Sequence, residues 1–349
     1  MSNIAAIDPN FKVVSEIKEK DIRFYNVTQK PFQLYGVFYD AGKFRRLPED
    51  IAKSVSAGVC GLHANTAGGR VRFKTDSAYI AINVKMPKIG KMPHFALTGS
   101  SGFDLYVFDQ EEKYNNTFVP PFDIEDGYES IVYFNSSKMR EITINFPLYS
   151  EVSELYIGLQ EGAMICEPKP YKTEKPVVYY GSSITQGGCA SRPGNSYESV
   201  IARRLDVNYI NLGFSGNAKG ESVFAEYIKC LDMSAFVYDY DYNAPSAEHL
   251  ADTHKNFYSI IRKANPTLPI VIMSRPKFTL SDNEKLRLDI IKKTYEEARA
   301  DGDKNIYFID GATLMALARD EGTVDGCHPN DFGFASMAKA VGDVLEKII

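Results

Sequence analysis

Four short segments in the second half of the chain carry side chains that could work together in nucleophilic catalysis. They are GSSITQGG with Ser183, NLGFSGNA with Gly216, VYDYDYNAP with Asn243, and DGCHPNDFGF with Asp325 and His328. A serine hydroxyl becomes a nucleophile when an imidazole accepts its proton, and a carboxylate three residues before that histidine can orient the ring. The Gly216 N–H and the Asn243 carboxamide could donate hydrogen bonds to an oxyanion. Together these residue types are those that a hydrolase with a serine nucleophile requires.

Other interpretations of these residues remain open. The Ser/Gly segments are also ordinary turn sequences, although the GxxxxGK[ST] pattern of a phosphate-binding loop is absent. Cys327 is a weaker nucleophile candidate, because a side chain adjacent to His328 would point away from its ring. Asp239 and Asp241 could form a carboxylate pair for glycoside cleavage or a metal site, but no histidine cluster accompanies them. We therefore expect neither a metal nor a cofactor.

Arg275 follows a further apolar segment in SRPKF. Its planar guanidinium could orient a polar substrate, or it could pair with an acidic side chain. We predict a substrate-binding role and leave the second alternative open.

An alternation of strands and helices positions these residues. Five apolar stretches (VVYYG, YINLG, AFVYDYDY, IVIMS and IYFID) are separated or followed by predicted helices near residues 196–205, 220–231, 247–264, 282–300 and 331–348. Parallel strands need such crossover helices, and ligands of parallel sheets bind beyond the carboxyl ends of the strands. The candidate residues all follow strands, so we expect them to meet at one edge of a five-stranded parallel sheet.

The first half has a different pattern. Its predicted strands are short, rich in β-branched and aromatic residues, and punctuated by Gly, Pro, Asn and Asp; they are 32–39, 69–75, 78–85, 105–109, 128–134, 141–146 and 155–159. This pattern predicts an antiparallel β-sandwich or jelly roll. The Pro- and Lys-rich segment EPKPYKTEKP separates the halves, so we predict domains at residues 1–170 and 171–349.

The order and contents of the four segments resemble the SGNH hydrolases, also called GDSL-type esterases and lipases, over about residues 175–349. Ser183 matches the nucleophile of that family, Gly216 and Asn243 match its oxyanion residues, and Asp325 and His328 match its DxxH block. The resemblance implies a flavodoxin-like three-layer α/β/α domain that hydrolyses esters through an acyl-enzyme. It also implies that the Ser183 N–H is a third oxyanion donor.

The sequence departs from the family pattern at two places. Ser182 stands where the family usually has Asp before the nucleophile, and the GxND block is reduced to a Tyr-rich strand ending in Asn243. The first departure leaves the nucleophile intact.

The segment SGFDLYVF resembles the GxDLY motif of a β-sandwich domain that precedes a subset of SGNH hydrolases. Members of this two-domain group resemble carbohydrate esterases, often acetyl esterases, so the implied partner is a small-molecule or oligosaccharide ester. A lysophospholipase or thioesterase of the same family is the nearest alternative. A carbohydrate-binding protein that has lost activity is a third.

Composition narrows the class of protein. The 349-residue chain has a formal net charge of -5, 44% hydrophobic and 24% charged residues, and five scattered cysteines. These values argue against a nucleic-acid or membrane partner, and the cysteines against a disulfide framework or a structural zinc site. The N-terminus lacks the pattern of a signal peptide and no apolar run has transmembrane length, so we expect a cytoplasmic protein. Whether it forms a homo-oligomer is left open.

Overall fold

The structure is a computed structural model that describes residues 17–108 and 113–349. Within the first half, two antiparallel sheets pack face to face. Their strands are β1 (Ile22–Asn26), β2 (Gln33–Tyr35), β5 (Arg70–Thr75), β6 (Tyr79–Lys85), β7 (Phe103–Phe108), β8 (Lys113–Phe118), β9 (Gly127–Tyr133), β10 (Arg140–Asn145), β11 (Glu154–Gln160) and β12 (Ile165–Cys166). One sheet has the order β1-β11-β6-β9 and the other β12-β5-β10-β7-β8, with β2 beside β5. Apolar side chains from both sheets fill the space between them, which confirms the predicted sandwich.

Some details of the first half differ from prediction. The expected strand 32–39 is divided at Gly36, whose φ is +71° and where a Cβ would lie 2.1 Å from the Gly68 carbonyl oxygen. The chain continues there as a separate hairpin of β3 (Phe38–Asp40) and β4 (Lys43–Arg45). The helices α1 (Glu49–Val55), α2 (Ala57–Leu62) and α3 (Leu97–Ser100) were not predicted. Asp109, at the end of another predicted strand, lies outside the described residues.

The second half is a five-stranded parallel sheet with helices on both faces. Its strands are β13 (Thr173–Gly181), β14 (Val207–Gly213), β15 (Ala235–Asp239), β16 (Ile270–Met273) and β17 (Ile306–Ile309), in the order β14-β13-β15-β16-β17. Its helices are α4 (Tyr197–Leu205), α5 (Ser222–Ile228), α6 (Ala247–Ala264), α7 (Asp282–Ala300), α8 (Gly311–Leu314) and α9 (Asp331–Leu345). This order places the first strand between the second and third, so the predicted flavodoxin-like fold is confirmed.

Alternate residues of each strand pack on opposite faces of this sheet. Tyr180 and Tyr238 pack with α5, α6 and α7, whereas Tyr179 and Val237 pack with α4 and α9. Both faces are buried, which is why the strands are nearly uniformly apolar.

The two halves share buried surface. Ala52 of α1 and Val59 of α2 belong to the same apolar cluster as Phe224 of α5, so helices from the first half cover part of the second. The first half's sheets end with β12 and the parallel sheet begins with β13. The predicted domain boundary, between residues 170 and 171, lies between these two strands and remains our proposal.

Within residues 17–108 and 113–349, no helix combines the length and the apolar character that crossing a membrane requires. All five cysteines are free thiols.

Candidate active site

Ser183 lies in a tight loop directly after β13. The strand ends at Gly181, where a Cβ would lie 2.3 Å from the Asp239 carbonyl oxygen, so the loop can approach the neighbouring strand only because this residue is glycine. The Ser182 N–H donates to that same carbonyl (3.0 Å), and the Gly188 N–H closes the turn on the Ser183 carbonyl (2.8 Å). The Ser183 side chain is thereby held at the carboxyl edge of the sheet.

The three candidate catalytic side chains form one hydrogen-bonded chain. The Ser183 Oγ lies 2.9 Å from His328 Nε2, and His328 Nδ1 lies 2.8 Å from Asp325 Oδ2. Nε2 can accept the hydroxyl proton if Nδ1 carries the ring proton toward Asp325. The structure therefore brings the three predicted side chains together.

Asp325 also fixes the backbone of its own loop. Its Oδ1 accepts hydrogen bonds from the backbone N–H groups of Cys327 (3.0 Å) and His328 (2.8 Å). Partial burial tends to raise the pKa of Asp325, but these bonds and the His328 ring outweigh it and lower the pKa to about 2. The carboxylate is therefore ionised at neutral pH, as orienting an imidazole requires.

Two of the candidate oxyanion donors, Gly216 and Asn243, lie in the segments that follow β14 and β15. Gly216 is exposed and has a φ of +68°, with open space where a Cβ would stand. Across the described part of the chain, neither the Ser183 N–H nor the Gly216 N–H donates a backbone hydrogen bond. The Asn243 Nδ2 donates to the Phe214 carbonyl (3.0 Å), which leaves its second amide hydrogen for a ligand. The Phe214 N–H in turn donates to the Gly181 carbonyl (2.9 Å), which ties the loops together.

Arg275 is paired with acidic side chains. Its Nε and Nη2 donate to the two oxygens of Asp241 (both 2.9 Å), and its Nη1 donates to Glu284 (2.9 Å). The residue is 9% exposed and stacks over the Tyr242 ring. The structure thus favours the second alternative for Arg275 over the predicted substrate contact, because its donors are already used inside the protein.

The two aspartates of the third strand have separate environments. Asp241 lies in a 3₁₀ turn beyond β15, not in the strand as predicted, and is paired with Arg275 and Arg287. Asp239 is buried, and this burial together with the nearby Asp241 raises its pKa to about 8. Neither carboxylate faces a partner suited to glycoside cleavage.

Burial also raises the pKa of Cys327 to about 11, so its thiol is a poor nucleophile at neutral pH.

Gln186 connects the nucleophile loop to the first half of the chain, a role that the sequence did not reveal. Its Oε1 accepts the Ser215 N–H (2.9 Å), next to Gly216, while its Nε2 donates to Asn65 Oδ1 (3.2 Å) and to the Leu148 carbonyl (3.3 Å). Gln186 is fully buried. The Gly216 loop is therefore held in place partly by residues of the sandwich domain.

Arg46 makes a second connection of this kind. From the first half it donates to the carbonyls of Gly213 (2.8 Å) and Asn211 (3.1 Å) at the end of β14, and its guanidinium lies 4.6 Å from the Phe214 ring centroid. Arg46 belongs to the short basic stretch KFRR. The carbonyls that this arginine binds are distant in sequence, so no local pattern could identify them.

Two more side chains of the first half approach the site. The Tyr149 hydroxyl donates to the Ser183 carbonyl (3.1 Å). His94 is exposed, and its ring centroid lies 5.7 Å from that of His328.

Comparison with protein families and solved structures agrees with this architecture. Residues 174–346 match the GDSL-like lipase/acylhydrolase family, and residues 22–165 match the GxDLY domain, the N-terminus of SGNH hydrolase-type esterases. A protein assigned as a GDSL-like lipase from Bacteroides ovatus ATCC 8483 is 30% identical, with a TM-score of 0.84 over 94% of this chain and 98% of that one. The chain belongs to the GDSL-like lipase/acylhydrolase family. It is a carboxylic ester hydrolase of the two-domain SGNH type.

Two more distant structures share the fold. The salicylyl-acyltransferase SsfX3 of a tetracycline biosynthetic pathway is 21% identical, with a TM-score of 0.75 over 93% of this chain and 96% of that one. A family two carbohydrate esterase from Cellvibrio japonicus is 12% identical, with a TM-score of 0.62 over 94% and 98%. A search of curated proteins finds no match to this chain.

Proposed function

We propose that this SGNH hydrolase removes short acyl groups, above all acetyl, from a carbohydrate through an acyl-enzyme on Ser183. The observation that carries the proposal is the continuous hydrogen-bonded chain from Ser183 Oγ through His328 to Asp325. The fold shared with carbohydrate esterases supports the substrate class.

The mechanism follows from the positions of these groups. His328 Nε2 takes the Ser183 proton as Oγ attacks the acyl carbonyl, and Asp325 stabilises the imidazolium that forms. The N–H groups of Ser183 and Gly216 and the Asn243 carboxamide hold the negative oxygen. His328 then gives this proton to the departing sugar oxygen, which leaves as a hydroxyl. In the second half of the reaction His328 takes a proton from water as the water oxygen attacks the acyl-enzyme carbonyl, and returns it to Ser183 Oγ as the free acid departs.

A cavity beside the catalytic loop suits the sugar. It has a volume of about 380 Å³ and is bordered by Thr323 and Gly326, on the loop that leads to His328, and by the polar side chains of Lys277, Arg319 and Asp320. The Phe278 ring, also in its wall, is partly exposed, with the Arg319 guanidinium 5.0 Å from its centroid. An aromatic face among charged and hydroxyl groups offers both kinds of contact that a sugar ring makes.

The first test compares p-nitrophenyl esters of increasing chain length with acetylated oligosaccharides. We expect the acetyl ester to be cleaved fastest, acetate to be released from the oligosaccharide, and Ser183→Ala to abolish both activities. Phe278→Ala should raise the KM for the oligosaccharide and leave p-nitrophenyl acetate unaffected. Leu286→Ala, which truncates another exposed apolar side chain outside this cavity, is the matched control.

Two results would contradict the proposal. A preference for acyl chains of eight carbons or more would instead indicate a lipase-like enzyme, with the chain in the apolar cavity of about 420 Å³ formed by Met92, Phe95, Leu97 and Phe122. Oligosaccharide binding without hydrolysis of any ester would indicate a binding protein.

A further inference from the structure

Three side chains with metal-binding atoms meet beside the proposed catalytic site. His94 comes from the first half, Cys189 from the loop after Ser183, and His328 from the loop before α9. A ring nitrogen of each histidine and the Cys189 sulfur lie within 4.8 Å of one another. Neither His94 nor Cys189 takes part in the acyl transfer proposed above.

The backbone conformation explains why the Cys189 side chain lies close to His328. Gly188 lies beside the His328 ring, since a Cβ there would be in van der Waals contact with His328 Cδ2 at 3.4 Å. The chain then turns through Cys189 with a φ of +74°, and the Cys189 side chain is buried. The turn that holds the nucleophile therefore also presents a thiol to the imidazole.

Two imidazoles and a thiolate form a ligand set that prefers Zn²⁺ and chemically similar ions, with a fourth position open to water. In a tetrahedral zinc site, bond lengths of about 2.0 to 2.3 Å place neighbouring ligand atoms about 3.3 to 3.6 Å apart. Because 4.8 Å is the upper limit of the present separations, the ligand atoms would have to approach one another by at most about 1.2 to 1.5 Å. Rotation of the exposed His94 side chain can supply part of this movement. Asp325 already holds Nδ1 of His328, as a carboxylate holds a zinc-bound histidine in other proteins.

We propose that His94, Cys189 and His328 bind one Zn²⁺ ion and that this ion switches the esterase off. The ion would take the Nε2 lone pair of His328, which otherwise accepts the Ser183 proton, and the Cys189 thiol would release its proton to solvent. Binding itself needs no catalytic activity. The inhibitory effect rests on the function proposed above.

The binding test uses Co²⁺ as a spectroscopic substitute for zinc and is made on Ser183→Ala, so that it does not depend on turnover. We expect one equivalent of Co²⁺ to produce a thiolate-to-metal charge-transfer band in the near ultraviolet, and Zn²⁺ to displace it. The band should be absent when Cys189→Ser is added. It should remain with Cys327→Ser, the matched control, because Cys327 is a neighbouring thiol outside the cluster.

The activity test titrates Zn²⁺ against hydrolysis of p-nitrophenyl acetate. We expect reversible inhibition that a chelator relieves. His94→Gln and Cys189→Ser should hydrolyse the ester without metal and should raise the half-inhibiting Zn²⁺ concentration by about 10-fold or more, since each loses a ligand. Cys327→Ser should be inhibited like the wild type.

Absence of the thiolate band, or equal Zn²⁺ sensitivity in all variants, would overturn the zinc site. If the band appears but the wild type cleaves no ester, the esterase proposal fails while the metal site stands. The two failures are therefore distinguishable.

Discussion

Gln186 offers the sharpest test of how the two domains cooperate. We expect Gln186→Met, which keeps the length of the side chain and removes its polar atoms, to lower kcat with little change in KM. The reason is that Gln186 accepts the Ser215 N–H and so fixes the loop that carries Gly216, whose N–H we propose as an oxyanion donor.

The size of the effect follows from the hydrogen bonds that the methionine cannot make. Removing a whole oxyanion donor costs about 10²- to 10³-fold in kcat, and a donor that is displaced but still present should cost less, about 10- to 100-fold. Stability should also fall, because Asn65 Oδ1 and the Leu148 carbonyl lose their partner; a buried unpaired group costs about 1 to 3 kcal/mol.

The assay is steady-state hydrolysis of p-nitrophenyl acetate, with thermal unfolding measured in parallel. Tyr258→Phe is the matched control, since it removes a hydrogen bond to Asp303 (2.6 Å) in the α6 region and should lower the Tm without changing kcat. A Gln186→Met enzyme with wild-type kcat and a lowered Tm would show that Gln186 is only structural, and the reasoning would be refuted.

Three further predictions each concern one residue at the carboxyl edge of the parallel sheet. Asn243→Ala should lower kcat by about 10²- to 10³-fold if its amide is an oxyanion donor; a change below about threefold would reduce it to a support for the Phe214 carbonyl. Arg275→Met should destabilise the fold by roughly 3 kcal/mol, because it leaves buried Asp241 without its main partner, and the KM for the oligosaccharide should stay constant. A raised KM in a variant of normal stability would restore the substrate-binding interpretation. Asp239 has a folded-state pKa of about 8, above its ordinary value, so the contribution of this residue to stability should decline as pH rises from about 4 to 8. Asp239→Asn removes this titration and should gain stability relative to wild type by at most about 1.4 kcal/mol per pH unit over that range, measured by urea unfolding; a difference that is independent of pH would contradict the raised pKa.

The sequence predicted the features that depend on local periodicity. Strand and helix alternation gave the parallel sheet, and helices 247–264 and 282–300 agree with the structure to the residue. Because the candidate residues followed strand ends, their meeting at one edge followed from the topology of parallel sheets. Predicting the contacts among Ser183, His328 and Asp325 required only that topology and the three-residue spacing between Asp325 and His328.

The features that escaped prediction depend on contacts between distant segments. The helices α1 and α2 are seven and six residues long, too short for a helical period to be evident, and pack on a sheet more than a hundred residues away. Arg46 and Gln186 bind backbone atoms that no sequence pattern identifies. Arg275 was placed at the correct edge, but its choice between substrate and acid depended on its pairing with both oxygens of Asp241 and with Glu284. Glu284 is held in position by the capping box of α7.

The most direct test of Ser183 as the nucleophile is where a fluorophosphonate probe reacts. Such a probe forms a covalent bond with an activated serine, and intact-mass and peptide mass spectrometry locate the adduct. We predict one adduct per chain, on Ser183, absent from Ser183→Ala and formed much more slowly in His328→Ala. An adduct on any other residue, or none on a folded protein, would contradict this assignment.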